Sequence, residues 1–229
     1  MKYTSKFILN WEEHQFAAPS GWGWRQPWAN TIAYYPFDTD YVDASGNSPT
    51  ATAQNTVIWE YWGVNCLNFN SSYAYVNWIN NLNLESEYTM CVRVYVNNKV
   101  GINYYWIANW WWSWFEVYSN NTWYIRRWNT TNQQSAVSWV WSGWHLLAQV
   151  WTVGGAWYLV VDWVWTTLIA SWLVATWNQT NQLNIWALAG AWMIANQGYV
   201  SKLIIENKAR TQQEMLDYYN QNKYLYGIS

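Results

Sequence analysis

Hydrophobic and polar positions are patterned most clearly in the middle of the chain, where residues 144–164 read WHLLAQVWTVGGAWYLVVDWV. Residues 145–151 and residues 156–161 are apolar and β-prone, and Val153-Gly154-Gly155 between them is a turn signal. The pattern predicts a β-hairpin. A second turn is predicted at Asp162-Trp163, where the tightest hairpin turns need positive φ at the second position, a conformation that is costly for Trp.

Alternation elsewhere predicts further strands and one helix. In residues 88–96, YTMCVRVYV, every second residue from Met90 to Val96 is apolar, which is typical of a strand with one buried face. Further strands are predicted at residues 32–37, 115–118, 122–127, 166–175, 183–185 and 203–206. Thr211 to Glu214 have the spacing of a capping box, which predicts a short helix over residues 212–221.

Composition narrows the class of protein. The 229 residues fit one large β domain with a short extension, and the chain carries 10% charged residues and a net charge of −2. No basic run is present, so nucleic-acid binding is not expected. The most apolar stretch, residues 156–175, has period-2 patterning and is not expected to span a membrane. Residues 1–16 do not have the pattern of a signal peptide.

Residues 1–29 form a predicted extension ahead of a domain at residues 30–229. Tyr3, Phe7 and Leu9 alternate with polar residues, which favours a strand or an arm. Residues 17–28 are interpreted as a linker because Pro and Gly interrupt them, at Pro19, Gly21, Gly23 and Pro27. Two interpretations stay open: the arm docks onto a neighbouring molecule and supports self-assembly, or it is a disordered terminus.

Three segments resemble one family. The central W-H-x-x-A and W-x-L-x-V-D segments, the opening Y-P-F-D…D-x-S-G-N and the closing segment from Tyr199 to the helix are similar to laminin-G-like, concanavalin-like domains. The matched residues include Trp144, His145, Ala148, Trp157, Leu159, Asp162, Tyr35, Pro36, Phe37, Asp38, Asp43, Ser45, Gly46 and Asn47. The resemblance implies an all-β jelly-roll sandwich of two antiparallel sheets, with an N-terminal arm and a short C-terminal helix.

The tryptophan content is anomalous, with 25 Trp against 11 Gly. Many Trp stand where backbone logic or the family pattern favours Gly: Trp22, Trp24, Trp28, Trp78, Trp110, Trp111, Trp112, Trp163 and Trp186. We interpret these as UGA codons that the native organism or virus reads as glycine, while Trp144 and Trp157 fit as true tryptophans. The alternative is an aromatic surface that stacks on sugars.

Asp38, Asp40 and Asp43 are candidate calcium ligands because closely spaced carboxylates can gather around this ion. The resemblance also implies calcium, which relatives of the fold use. The alternative, which we favour, is that these side chains cap turns. Cys66 and Cys91 have no metal-site spacing and are expected to be two buried thiols; a bridge between them requires neighbouring strands.

Catalytic patterns are not evident in the sequence. The resemblance implies an E-x-D-x-x-E strand for a glycoside hydrolase, since two carboxylates must face the substrate, and no such triplet occurs. Glu85 and Glu87 precede a predicted strand. His145 is expected to be a packed strand residue, and His14 is the other histidine. A non-enzyme is therefore expected.

Three functions remain open. The first is a structural or appendage protein of a virus-like particle, with glycan binding as an additional role. The second is a cell-surface carbohydrate-binding lectin or adhesin, and the third, least favoured, is a glycoside hydrolase. The expected location is the virion or the cell exterior. The sequence does not indicate which residues bind carbohydrate.

Overall fold

The computed structural model describes residues 29–70, 73–76, 87–96, 104–109, 113–118, 122–127, 133–138, 143–152, 156–169, 183–185, 187–188, 193–194 and 197–223. The strands are β1 (Thr31–Tyr35), β2 (Thr52–Gln54), β3 (Val57–Tyr61), β4 (Val64–Asn70), β5 (Tyr73–Val76), β6 (Tyr88–Val96), β7 (Tyr104–Asn109), β8 (Ser113–Tyr118), β9 (Thr122–Arg127), β10 (Gln133–Ser138), β11 (Gly143–Trp151), β12 (Ala156–Val161), β13 (Val164–Ile169), β14 (Leu183–Ile185), β15 (Ala187–Leu188), β16 (Met193–Ile194) and β17 (Gln197–Glu206). One helix, α1 (Gln212–Asn222), follows them. The fold is all-β with a short C-terminal helix, as predicted.

Two large antiparallel sheets and one small one contain these strands. The eight-stranded sheet has the order β13-β12-β11-β6-β17-β4-β3, with β1 also paired to β17. The seven-stranded sheet has the order β10-β9-β8-β7-β14-β5-β2, and β15 pairs with β16. Strand β17 organises the larger sheet, because its first part pairs with β4, its last part pairs with β1, and β6 lies along its other side.

The two faces of the eight-stranded sheet are both buried at its centre. On the inner face, Val92, Leu147 and Leu203 lie side by side in register and are fully buried. On the outer face, Cys91, Ala148 and Ile204 form a row that packs against α1. The helix contributes three buried apolar side chains to this contact, Met215, Tyr218 and Tyr219.

The central hairpin is confirmed as β11 and β12, with Ala148 opposite Val160. Its turn at residues 153–155 lies outside the described residues. The prediction of positive φ at Trp163 is wrong, since the left-handed residue of the second turn is Asp162, with φ of 55°. Asp adopts this region more readily than Trp because its short polar side chain can bond locally.

The first strand is shorter than predicted. It ends at Tyr35 because Phe37 has φ of 54°, which takes the backbone out of the extended conformation. The capping box at the start of α1 is confirmed: Thr211 accepts a hydrogen bond from the Glu214 amide, and the Glu214 side chain accepts one from the Thr211 amide.

Cys66 and Cys91 are free and buried, as expected. Cys66 lies on β4 and Cys91 on β6, and β17 separates these two strands in the sheet. Two residues on non-adjacent strands are too far apart for a disulfide, since neighbouring strands alone are spaced by about 4.8 Å and a bridge needs close Cβ atoms.

Candidate functional site

The outer face of the eight-stranded sheet has two parts. Helix α1 covers the part around Ala148 and Ile204. Further along the same strands, Tyr95 on β6 lies opposite both Trp144 on β11 and Tyr199 on β17, and aromatic side chains take the place of aliphatic ones. Together with Tyr61 at the end of β3, these residues form a contact group that we call the aromatic cluster: Tyr61, Tyr95, Trp144 and Tyr199.

The rings of the aromatic cluster are in direct contact. Tyr61 and Tyr199 stack nearly parallel, with ring centroids 4.0 Å apart and 12° between the planes. Tyr95 meets Tyr61 edge-on at 4.8 Å, and Trp144 meets Tyr95 edge-on at 5.6 Å. Trp144 is buried, whereas the three tyrosines are half-buried. Parts of three tyrosine rings therefore face solvent from a rigid, mutually packed arrangement.

The floor of the aromatic cluster is apolar and uncharged. Val64 and Cys66 on β4 pack against the rings. The Cys66 thiol lies 3.3 Å from the carbonyl oxygen of Trp59, to which it donates, and burial raises the pKa of this thiol to about 12. Burial likewise raises the pKa of Tyr199, with smaller contributions from Tyr61, Cys66 and Tyr95. The thiol and the Tyr199 hydroxyl thus stay protonated at neutral pH.

Charged residues lie between the aromatic cluster and the helix. Lys202 is opposite Arg93 in the register of β17 and β6, and both are buried. The Arg93 guanidinium carbon is 5.8 Å from the centroid of the Tyr219 ring, which is a cation–π distance. Burial lowers the pKa of Lys202 to about 6; Asp38 opposes this shift and Arg93 adds to it. Lys202 and Arg93 are buried, whereas the three tyrosines are half-buried and therefore contribute accessible surface.

Chemically, this arrangement is suited to binding. Tyrosine rings present apolar faces and a hydroxyl that donates and accepts hydrogen bonds, which matches ligands with both C–H faces and hydroxyl groups. Binding sites of this type are largely pre-formed, with apolar and aromatic walls and a few placed polar groups.

The three predicted calcium ligands are not brought together. Within the described residues, which include all three, no group of three or more His, Cys, Asp or Glu side chains is placed to hold a metal ion. Asp43 is buried, and its carboxylate accepts hydrogen bonds from backbone amides, among them those of Tyr34 at 2.6 Å and Asn47 at 2.8 Å. Calcium binding stays a prediction, and the observed role of Asp43 is to hold a turn.

Asp38 and Asp40 lie before this turn. Asp40 is exposed and accepts a hydrogen bond from the amide of Val42 at 3.0 Å. Burial raises the pKa of Asp38, Lys202 opposes this shift and Asp40 adds to it. The carboxylate of Asp38 is thus electrostatically linked to Lys202 of β17.

His145 and Asp162 form a buried pair. The Nδ1 atom of His145 is 2.8 Å from Oδ2 of Asp162, and Oδ1 of Asp162 accepts a hydrogen bond from the amide of Leu146 at 2.9 Å. His145 is 1% and Asp162 is 3% exposed, so this pair is closed to a substrate. The prediction that His145 is a packed strand residue is confirmed.

Five tryptophans of the described residues lie at opposite extremes of exposure. Trp144 and Trp151 are 5% and 3% exposed, whereas Trp59, Trp62 and Trp163 are 57%, 80% and 52% exposed. Trp62 also has φ of 55° and precedes Gly63 at φ of 72° in the β3–β4 turn. The predicted glycine positions at residues 22–28, 78, 110–112 and 186 lie outside the described residues.

The sequence did not indicate the aromatic cluster. The alternation in YTMCVRVYV puts Tyr95 on the face opposite Val94 and Val96, and the sequence pattern does not predict β3 with Tyr61. The three tyrosines could have been grouped only by knowing that their strand positions lie on the same face of one sheet. That requires the strand order, which the sequence pattern does not give. That order brings Tyr61, Tyr95 and Tyr199 together from three strands distant in sequence.

Known structures with a similar fold were found by structural comparison, although no relative was found by sequence. No protein-family model and no curated protein matches the sequence. The binding domain of botulinum neurotoxin DC in complex with rat synaptotagmin II has a TM-score of 0.70 at 12% identity, over 85% of this chain and 52% of that chain. The chain shares that fold. The same domain in complex with SialylT has a TM-score of 0.69 at 12% identity, over 86% of this chain and 52% of that chain.

A third structure comes from work on cell entry of botulinum neurotoxin type C, described as dependent upon interaction with two ganglioside molecules. It has a TM-score of 0.70 at 11% identity, over 83% of this chain and 51% of that chain. The chain therefore spans about half the length of the structures that it matches. Among the described residues, no helix is long and apolar enough to cross a membrane.

Proposed function

We propose that this chain is a non-catalytic carbohydrate-binding module, a laminin-G-like jelly roll of residues 30–229 that follows an N-terminal arm of residues 1–29. The inner face of the eight-stranded sheet is buried along Val92, Leu147 and Leu203, and a sandwich covers such a face with a second sheet. The seven-stranded antiparallel sheet is the element available for this role.

The aromatic cluster carries the functional part of the proposal. Tyr61 and Tyr199 form a stacked, half-buried pair, and the Tyr95 ring packs edge-on against Tyr61. A pyranose ring offers an apolar face for such rings and hydroxyl groups for their O–H. The complex with SialylT and the ganglioside interaction named for two structural neighbours support carbohydrate as the ligand class.

We place the module in a structural or appendage protein of a virus-like particle, or otherwise at the cell exterior. The alternative is a cell-surface lectin or adhesin, which would use the same carbohydrate site on a different carrier. Peptide mass spectrometry of fractions from the native source separates them: peptides in the particle fraction support the first, and peptides confined to the cell envelope support the second.

A glycoside hydrolase is the least favoured function. Retaining and inverting enzymes need two carboxylates across one sugar bond. The buried His145–Asp162 pair is closed to substrate, and the residues beside the aromatic cluster, Lys202 and Arg93, are buried basic side chains that supply no carboxylate. Binding without turnover is the function that the described residues support.

The first prediction tests the aromatic cluster. Replacing Tyr61 with Ala removes one ring of the stacked pair, so the affinity for a bound glycan should fall by about five- to tenfold, the equivalent of roughly 1 kcal/mol of aromatic contact. Titration calorimetry against a glycan panel, with and without calcium, measures it. Calcium dependence in the same titration also tests the predicted ligands Asp38, Asp40 and Asp43.

The matched control is Tyr158→Ala. Tyr158 is another half-buried tyrosine with an aromatic partner, Trp165 at 4.8 Å, but it packs against the helix-covered part of the outer face. Its loss should leave glycan affinity within twofold. A chain that binds no glycan under either condition is not a lectin, and equal losses in the two variants would move the site away from the cluster.

The proposal includes the native identity of some tryptophans. Trp62 has the left-handed conformation that favours glycine and is 80% exposed, as expected for a glycine codon read as Trp. The stacked pair consists of Tyr61 and Tyr199, so its two rings do not depend on how these codons are read. Trp62 contacts the Tyr61 ring edge-on at 6.4 Å, so a glycine at this position would leave more of that ring accessible. Peptide masses from the native source that contain Trp at positions 62 and 163 would contradict the glycine reading.

A further inference from the structure

We propose that the exposed edge of β3 pairs with residues 3–9 of a second copy of this chain, and that two copies exchange these segments reciprocally. This contact lies beside the carbohydrate site, because Val57 and Trp59 share a face of β3 with Tyr61. It uses the free edge of the strand and not the stacked pair of Tyr61 and Tyr199. It assigns an interaction surface to β3 and a partner to the N-terminal arm.

Strand β3 has an open side. It is the last strand of the eight-stranded sheet, and within the described residues no strand pairs with it on the side away from β4. The β3–β4 ladder runs from Val57 to Tyr61 without a register shift. Edge strands usually carry a Pro, a Lys or a bulge that prevents pairing with another chain. The strand VIWEY has no Pro and no Lys, and Glu60 is its one charge.

The same edge concentrates exposed apolar surface. The described residues include six large exposed hydrophobic side chains, and two of them, Val57 and Trp59, lie within this strand. Val57 alone is 54% exposed. Strand alternation places Val57 and Trp59 on the same face. A strand added to β3 would satisfy the unpaired backbone groups of the edge, and its side chains would pack beside Val57 and Trp59.

The N-terminal segment has the pattern of such a strand. In MKYTSKFILN, Tyr3, Phe7 and Leu9 stand at odd positions with Ser5 among them, so an extended conformation would put them on one face. Its charges are Lys2 and Lys6, with no acidic residue, and they complement Glu60. Main-chain hydrogen bonds and alternate apolar contacts are the two components of strand addition.

The linker is long enough for exchange. The carbonyl of Asn30 accepts a hydrogen bond from the Asn207 amide at 3.2 Å, which fixes where the arm leaves the domain. The 20 residues from 11 to 30 span roughly 65 Å when fully extended and about 25 Å on average as a flexible chain. Reciprocal exchange makes two identical contacts related by a two-fold axis and leaves neither β3 edge open.

Full-length variants test the exchange. Phe7→Asp places a charge on the apolar face of the arm, and Val57→Lys places one on the edge; Val42→Lys, at an exposed valine outside β3, is the matched control. The experiment uses the parent at about 50 µM chain, a concentration at which a dimer with a dissociation constant of about 1 µM is mostly associated. Light scattering after gel filtration should then show the mass of two copies. The arm and edge variants should dissociate at least tenfold more readily, and Val42→Lys should behave as the parent.

Mixing the two variants gives the decisive result. The Phe7→Asp chain keeps an intact edge and the Val57→Lys chain keeps an intact arm, so their mixture should regain association through one arm–edge contact. A monomeric parent overturns the proposal, as does a mixture that stays monomeric. Association lost in Val57→Lys but kept in Phe7→Asp would indicate direct edge-to-edge pairing instead. Unchanged circular dichroism shows that the variants are folded, and unchanged glycan affinity shows that the arm contact does not involve the stacked pair.

Discussion

At the residue scale, two buried aspartates hold turns by accepting backbone hydrogen bonds. Asp43 accepts from the amides of Tyr34, Asn47 and Ser48, and Asp162 accepts from Leu146 while contacting His145. A buried carboxylate needs such donors because an unpaired one would be strongly destabilising. The sequence motifs around both residues are explained by these contacts rather than by catalysis.

Trp62 is a residue whose replacement should stabilise the fold. Its φ of 55° is unfavourable for Trp, and at 80% exposure its ring loses little packing. Trp62→Gly should therefore raise the free energy of unfolding by about 1 kcal/mol, the usual penalty of this region for a residue with a Cβ. Urea unfolding measures it. Trp144→Gly is the control with the opposite expected sign, because removing a buried ring should lower the free energy of unfolding by about 3–5 kcal/mol. If both variants change stability in the same direction and by similar amounts, the strain assigned to Trp62 is contradicted.

Lys202 predicts a pH-dependent stability. Its pKa falls from about 10.5 when unfolded to about 6 in the fold, mainly because of burial. Between these two pKa values the Lys202 amine is protonated in the unfolded chain and neutral in the fold. The destabilisation of the fold by this residue is therefore largest below about pH 6 and is lost as the pH rises towards 10.5.

Lys202→Met should raise the melting temperature at pH 7 by about 2–4 °C, corresponding to about 1 kcal/mol, with a smaller gain at pH 10. Thermal unfolding across this range checks it. Lys208→Met, at a half-exposed lysine paired with Glu214, should give no gain. A gain in melting temperature for Lys202→Met that increases with pH would contradict a lowered pKa of Lys202 in the fold.

At the element scale, the connection from β17 to α1 is held by charged side chains. The Arg210 guanidinium donates to both carboxylate oxygens of Glu206, at 2.6 and 2.7 Å, and to Glu214 at 3.0 Å. Glu206 is fully buried, so this pair fixes the end of the strand. Glu214 completes the capping box of the helix at the same time. These contacts therefore connect the end of the strand to the start of the helix.

Arg210→Met should be strongly destabilising, by about 3–5 kcal/mol, because it leaves the Glu206 carboxylate buried without its cation. Urea unfolding of the single variant and of Glu206→Gln/Arg210→Met gives the comparison, in which the double variant should recover much of the loss. Lys208→Met breaks a surface ion pair with Glu214 and should change stability by less than about 1 kcal/mol. Equal losses in the single and double variants would exclude the pair as the cause.

At the scale of the whole molecule, local sequence patterns predict individual strands and the helix, whereas the candidate site depends on how the strands are ordered in the sheet. The central hairpin and the capped helix follow from turn chemistry and periodicity, so both could be predicted from sequence. Strand β3 could not, because a short edge strand with exposed residues has no apolar alternation. The aromatic cluster depends on strand order, which sequence patterns do not specify.

The contact between Trp144 and Tyr95 has an optical consequence. A tyrosine 5.6 Å from an indole transfers its excitation to it, so Trp144 should emit light absorbed by the cluster. Trp144 is buried beside rings that face solvent, which makes its emission sensitive to what covers them. Because the chain has 25 Trp, the signal of Trp144 is the part of a ligand-induced emission change that Trp144→Phe abolishes. That part reports the occupancy of the cluster without a label.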